Sequence, residues 1–157
     1  MTQDQQTGSR GGRGSGAPGA ASRWVQRKMN ARTNRKIRRG RGRFMGMDLL
    51  ILNTVGRRSG RPRETPVTWF TDGADTWLII ASGGGSQHPD WYVNLMAHPD
   101  RASIELPGRE AVAVRPHRLE GADREQAWQR IVDAQPRYAK YQSKAEKEYP
   151  VIRLSPR

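Results

Sequence analysis

The sequence predicts a mainly β domain with flanking helices, closed into a small antiparallel barrel. Three observations carry this expectation. Five or six short apolar or β-branched runs lie between positions 48 and 119, most of them joined by hairpin-type turns. Helical spacing is confined to the segments before and after those runs and to one short insertion. Charge separates a basic leader from an ordinary body. Residues 1–43 hold 12 of the 28 Lys and Arg and one acid, Asp4, so +11 of the net +13 lies there. The other 16 basic and 14 acidic residues leave the body at +2. The apolar content of 34% is therefore a globular composition diluted by a polar tail.

In chain order, residues 1–22 are rich in Gly, Ser, Gln and Arg with nothing to anchor a core, and disorder is expected. Gly14, Gly16 and Gly19 spell a dinucleotide fingerprint by chance, because no strand precedes them and Pro18 interrupts any helix. Residues 23–43 form a basic connector. Within it, 23–39 place Trp24, Val25, Met29 and Ile37 at helical intervals among eight cations. Such a helix could dock on the body or rest on an anionic membrane surface, while the Arg-Gly tail could touch RNA. Residues 44–157 form the compact domain. Asp48–Val55 is a near-continuous apolar strand, and Glu64–Thr71 is a second, with Pro66 near its start. Asp72-Gly73 signals a hairpin turn before the strand Thr76–Ala81. Asp90–His98 has an acid at its N-cap and apolar residues at helical intervals. Arg101–Leu106 and Glu110–Leu119 are strands joined by Pro107-Gly108. Helices are expected over Ala122–Ala134 and Tyr138–Glu148, followed by Pro150 and a short extended end.

Several chemistries drop out. Without cysteine there is no disulfide framework, thiolate zinc site or cysteine nucleophile. Leu49–Leu52 is too short an aliphatic run to span a membrane, and the first thirty residues lack the apolar centre of a secretory signal, so a cytoplasmic protein is expected. His88, His98 and His117 have no ligand spacing, so no metal site is expected. A nucleic-acid binder would spread positive charge over its folded face, and the nearly neutral body argues against one.

Three segments could carry chemistry. In Thr54–Arg63, a strand opens into a loop with two glycines and four arginines. Glycine turns free backbone amides, and guanidinium forks match phosphate or carboxylate oxygens. The loop reads equally as an anion site or as an exposed hairpin loop kept soluble by its arginines. Three glycines follow Ala81-Ser82, which suggests close approach by a flat or bulky group. Trp91 and Tyr92 could wall such a ligand, with Asn94 nearly a turn beyond Trp91, although aromatics there serve a core as readily. Tyr138 and Tyr141 share a helix face and could turn hydroxyls toward a pocket.

The segments TVGRRSGRPR and HPDWYVNLMAHP, with ETPV, ASGGG and YAKY in this order, resemble the deazaflavin (F420)-dependent nitroreductase family, also called the F420-dependent quinone reductases. The resemblance spans about residues 48–154 and leaves out the leader. It implies a split β-barrel related to the FMN-binding barrels, carrying coenzyme F420. It also implies hydride transfer from the reduced deazaflavin to a quinone, a nitroaromatic or another activated acceptor. By match to the family motif, Arg57, Arg58 and Ser59 hold the cofactor's phosphate, with Arg63 or Arg61 toward its acidic oligoglutamate tail. Thr65, Pro66 and Val67 lie beside the cofactor. Ala81, Ser82 and Gly83 face the ring, and Trp91, Tyr92 and Asn94 complete that wall. Tyr138 and Tyr141 match tyrosines on the substrate side, and one of them or Ser82 orients or protonates the acceptor.

Three positions depart from the pattern. Arg58 stands where lysine is common and should preserve phosphate binding. Thr68 and Gln135 stand where some members have tyrosines, which makes the substrate pocket less aromatic. That weighs against nitroimidazole-type activation and leaves quinone reduction open. Members can also carry an N-terminal amphipathic helix that associates with membrane at the inner face of the cell, a part that residues 23–43 could play. A homodimer sharing its sites remains open. So do two rival readings: an FMN- or heme-binding barrel, and a basic RNA- or membrane-binding protein with an inert barrel.

Overall fold

The structure, a computed structural model, describes residues 20–83 and 87–157. The predicted tail up to position 19, and Gly84 and Gly85 of the glycine run, lie outside the described residues. Helix α1 (Ala20–Arg38) leads into β1 (Arg43–Phe44), β2 (Met47–Val55), β3 (Pro62–Thr71) and β4 (Trp77–Ile80). Helix α2 (Asp90–Ala97) and a short 3-10 turn (Pro99–Arg101) precede β5 (Ala102–Glu105) and β6 (Val112–Arg118). Helices α3 (Gly121–Ala134) and α4 (Arg137–Lys144) then lead to β7 (Val151–Pro156).

All pairings are antiparallel. The strand order is β1-β2-β3-β4-β7-β6-β5, and a further β2–β5 pairing closes six of the seven strands into a barrel. Closure depends on β2, the long apolar strand. Leu49–Val55 pairs with β3 along one edge, while Ile51–Asn53 pairs with β5 along the other. Period-two alternation then sorts the side chains. Leu50, Leu52, Val67, Ile79, Ile104, Val114, Ile152 and Leu154 form the inner core, joined by Tyr92 and Leu95 of α2. The alternate residues Leu78, Ile80 and Val151 face outward and pack under α3 and α4 against Ala127, Ile131 and Tyr138.

Most expected elements are present with shifted ends, and three differ. Asp90 does not cap α2: Pro89 holds the cap position with no side-chain cap hydrogen bond, and Asp90 is the first helical residue. The helix expected over Tyr138–Glu148 stops at Lys144, where Ala145 turns extended at φ −83° and ψ 144°. The short extended end is β7, an interior barrel strand between β4 and β6. Both its partners lie far away in sequence, so no local turn marks it.

Helix α1 is fixed at its C-terminal half. Ile37 is fully buried, and Arg38 donates to both Glu105 oxygens at 3.0 Å and to Glu64 at 2.6 Å. Asn53 adds a bond to Glu105 at 3.0 Å. The Arg38 guanidinium and, more weakly, Asn53 hold the Glu105 carboxyl below its ordinary 4.5, against the opposing effect of burial. A carboxyl held low contributes stability above its unfolded value and loses it as pH falls through the folded value. Proteolysis within α1 should therefore stay slow at neutral pH and accelerate on acidification below 4.5. Glu105→Gln should make it fast throughout, and equal rates for the two proteins would contradict this role for the clamp.

A second ionic knot ties the β3–β4 turn to α3 and β7. Asp72, 8% exposed, accepts from both Arg130 and Arg153. Removing it strands two guanidinium groups, one of them half-buried. Asp72→Ala is expected to cost about 2–3 kcal/mol in urea unfolding, below the full value of a buried pair because Arg130 is half in water. A loss below about 0.5 kcal/mol would show the knot to be ornamental.

Candidate active site

A cleft of about 190 Å³ is lined by Pro66, Val67 and Thr68 of β3, Ile80 and Ser82 at the end of β4, Trp91 of α2 and Tyr138 of α4. It therefore brings together four of the stretches that sequence reading separates. Strand β3 contributes three consecutive residues because it lies along the cleft rather than pointing into it. A larger cleft of about 370 Å³ lies between α3 and the segment after α4, where Arg124, Glu125 and Glu148 largely pair among themselves.

Residues of the wall divide by direction. Trp91 lines the cleft, while Tyr92 is buried in the inner core, where its hydroxyl accepts from Arg118 at 3.2 Å and its ring meets His88 at 4.9 Å. Burial, and after it the charges of Lys147 and Arg118, lowers the His88 pKa below its ordinary 6.5, which favours the neutral ring. Asn94 is also buried and turns toward the arginine loop. Its Oδ1 accepts from the Arg57 backbone N–H and from Arg57 Nη1, each at 3.1 Å. Asp90 lies 3.6 Å from the same guanidinium. Thus α2 holds the loop in place through Arg57.

The loop itself is a tight turn. The Gly60 N–H donates to Gly56 O at 2.8 Å, and Ser59 Oγ accepts from the Arg61 N–H at 3.2 Å. A Cβ at Gly56 would fall 2.5 Å from Ser59 Oγ and force that hydroxyl to swing away, and Gly60 sits at φ +66°, where any other residue is strained. Arg58 and Arg61 are exposed, Arg63 is half-buried on β3, and none of the three forms an ion pair among the described residues. Thr65 pairs with Leu52 in the barrel wall. Ala81 is buried, and Gly83 turns at φ +94° directly after Ser82.

On the opposite side, Tyr138 is 5% exposed and packs edge-on against Phe70 and against Tyr141, which is itself 48% exposed. Burial pushes the Tyr138 hydroxyl above its ordinary 10.0, with the Thr68 hydroxyl opposing, so it stays protonated at neutral pH. Both hydroxyls approach the thioether of Met47, Tyr138 at 3.7 Å and Thr68 at 3.8 Å. Met47 is absent from the sequence-derived site. Its only local signal is its place after Phe44-Met45-Gly46, a two-residue turn with φ +52° and +76° at its centre. A methionine in the left-handed region costs on the order of 1 kcal/mol where glycine costs nothing.

An antiparallel closed barrel with a cationic loop beside a partly aromatic cleft defines a cofactor-binding split-barrel protein. The match to the family model F420H(2)-dependent quinone reductase runs over residues 23–156, and the chain belongs to that family. It is 34% identical over 147 residues to an F420H(2)-dependent quinone reductase of Mycobacterium tuberculosis, covering 87% of this chain and 98% of the relative. Among solved structures, an F420-H2 dependent reductase (FDR-A) superposes with a TM-score of 0.60 at 31% identity, over 68% of this chain and 93% of that one. A chain solved as a domain-swapped dimer superposes at 0.62 with 26% identity, over 87% of this chain and all of that one.

The family implies coenzyme F420, and the residues present fit an anionic group of that kind. Two exposed guanidinium groups without ion-pair partners among the described residues stand on a glycine-closed turn that Arg57 ties to Asn94 of α2, the helix whose Trp91 lines the cleft.

Proposed function

We propose that this cleft reduces a quinone at the expense of reduced F420, with the arginine loop as the cofactor's anchor. The observation that carries the reading is the joining of the two halves. Asn94 and Asp90 fix Arg57 on the loop side of α2, and Trp91 of the same helix lines the cleft. Arg58 and Ser59, beside the Arg57 guanidinium braced on Asn94, would hold the phosphate, and Arg63 with Arg61 would meet the acidic tail. Thr65, Pro66 and Val67 would support one edge of the ring, and Ala81, Ser82, Gly83 and Trp91 the other. Tyr92 and Asn94 would act from behind, by bracing α2 and the loop.

When bound, reduced F420 supplies a hydride. The chain's own residues do the rest. Trp91 and Val67 exclude water from the cleft, and Ser82 offers a hydroxyl at its mouth. The Tyr138 hydroxyl holds a proton at neutral pH and can release it to an acceptor oxygen, with Tyr141 at its exposed side. One hydride and one proton convert a quinone into its hydroquinone. Thr68 in place of a larger aromatic favours quinones over nitroaromatic acceptors. Anaerobic mixing of the purified chain with reduced F420 and menadione should return oxidised F420 at a rate that saturates in quinone. Absence of turnover by a folded, F420-loaded protein would count against quinones as acceptors.

Trp24, Val25 and Met29 are half exposed or more at the undocked end of α1, among Arg23, Arg27 and Lys28. This supports peripheral contact with an anionic membrane, at its cytoplasmic face, as the part played by residues 23–43. The domain-swapped relative likewise supports self-association, which light scattering would read.

A further inference from the structure

We infer that the Phe44–Met47 hairpin is the acceptor-side lip of the cleft: Met47 positions Tyr138, and the exposed Phe44 and Met45 receive an aliphatic substituent of the quinone. This rests on the quinone reading above and extends it to which quinones are preferred.

Four observations converge on the hairpin. It is short, Phe44 pairing directly with Met47, and its turn puts methionine at φ +52° where glycine or asparagine is at home. Strain retained at one position calls for a role that the side chain supplies. The turn is also bolted down. Arg137 Nη2 donates to Met45 O at 3.0 Å, and Gln135 Nε2 donates to Gly46 O at 2.9 Å, so both central carbonyls are held from the junction of α3 and α4. Gln135, which stands where some family members have a tyrosine, is thus spent on the hairpin.

The hairpin then meets the cleft at its inner end. Met47 Sδ lies within hydrogen-bond range of both Thr68 and Tyr138, two cleft residues on different elements. A larger side chain at position 68 would run into that sulfur. At its outer end, Phe44 is 59% and Met45 68% exposed, and Phe44, as the cross-strand partner of Met47, shares the face of the hairpin whose sulfur meets Thr68 and Tyr138. A flat polar acceptor would gain nothing from those side chains. A quinone with a prenyl or alkyl chain would bury the chain there while its ring lies in the cleft.

The test uses the full chain, menadione as a quinone without a side chain, and a prenylated naphthoquinone. In the double variant Phe44→Ser, Met45→Ser, kcat/KM for the prenylated quinone should fall about tenfold relative to menadione. That is on the order of the loss of two buried methylene contacts. The F420 dissociation constant reports whether the cofactor side is intact. Met47→Leu keeps the volume and removes the sulfur acceptor, which favours the protonated hydroxyl. It should lower kcat with both quinones and move the alkaline limb of the kcat profile to lower pH at an unchanged melting temperature, whereas loosened packing around the buried Tyr138 would lower the melting temperature as well. Equal losses on the two quinones in the double variant, or an unmoved pH profile in Met47→Leu, would overturn the inference. Failure of the wild type to reduce either quinone while binding F420 would instead remove the quinone reading itself, and the lip with it.

Discussion

Replacing Arg58 with Glu is expected to weaken F420 binding about 100-fold, with little change in stability. The side chain is exposed and has no ion-pair partner among the described residues, so reversing its charge removes nothing the fold uses. Loss of a charge-assisted bond to an anion is worth about 1.5–3 kcal/mol, and a like charge adds repulsion, which brings the total near two decades in affinity. Arg57 makes the instructive contrast. Its guanidinium already engages Asn94 and Asp90, so Arg57→Glu should disturb α2 and lower both affinity and melting temperature. A titration of the two variants beside their melting curves separates an anion-binding residue from one that braces the loop. If Arg58→Glu lost its fold rather than its cofactor, the loop would be structural.

The second large effect is expected at Tyr138. Tyr138→Phe keeps the ring that packs on Phe70 and Tyr141 and removes only the hydroxyl, whose bond to a thioether contributes little stability. If that hydroxyl delivers the proton, kcat should fall about 100-fold while F420 affinity stays within about twofold. Because burial holds its pKa above 10.0, wild-type kcat should show no alkaline loss until pH exceeds that value. A variant with full kcat would move the proton source to Ser82 or to solvent.

How far such a site can be read from sequence depends on the range of the interaction. Strand β4 is wholly apolar and β2 carries the unbroken run Leu49–Leu52, so both announce themselves locally, and the Gly56–Gly60 loop shows its turn through two glycines. Strand β7 reads as extended after Pro150, but its place between β4 and β6 does not show, because both partners lie far back in the chain and only barrel closure selects it. The cap of α2 went to Pro89 because proline's fixed φ suits the turn into the helix, leaving Asp90 free to approach Arg57. Within α2, adjacent residues point about 100° apart, so Trp91 and Tyr92 cannot both face one cleft, and sequence does not say which will. Met47 is the clearest omission. Its meeting with Tyr138, 91 positions on, exists only once α4 has packed over the hairpin. The family resemblance points to the cofactor through motifs in loops, whereas this contact belongs to the tertiary structure.

The most direct measurement is a fluorescence titration of the full-length chain with F420, with FMN in parallel and ionic strength varied. The account predicts saturable F420 binding that weakens as salt rises, because an exposed cationic loop holds an anionic cofactor, and little binding of FMN. A folded protein that ignores F420, or takes FMN as well, would contradict it.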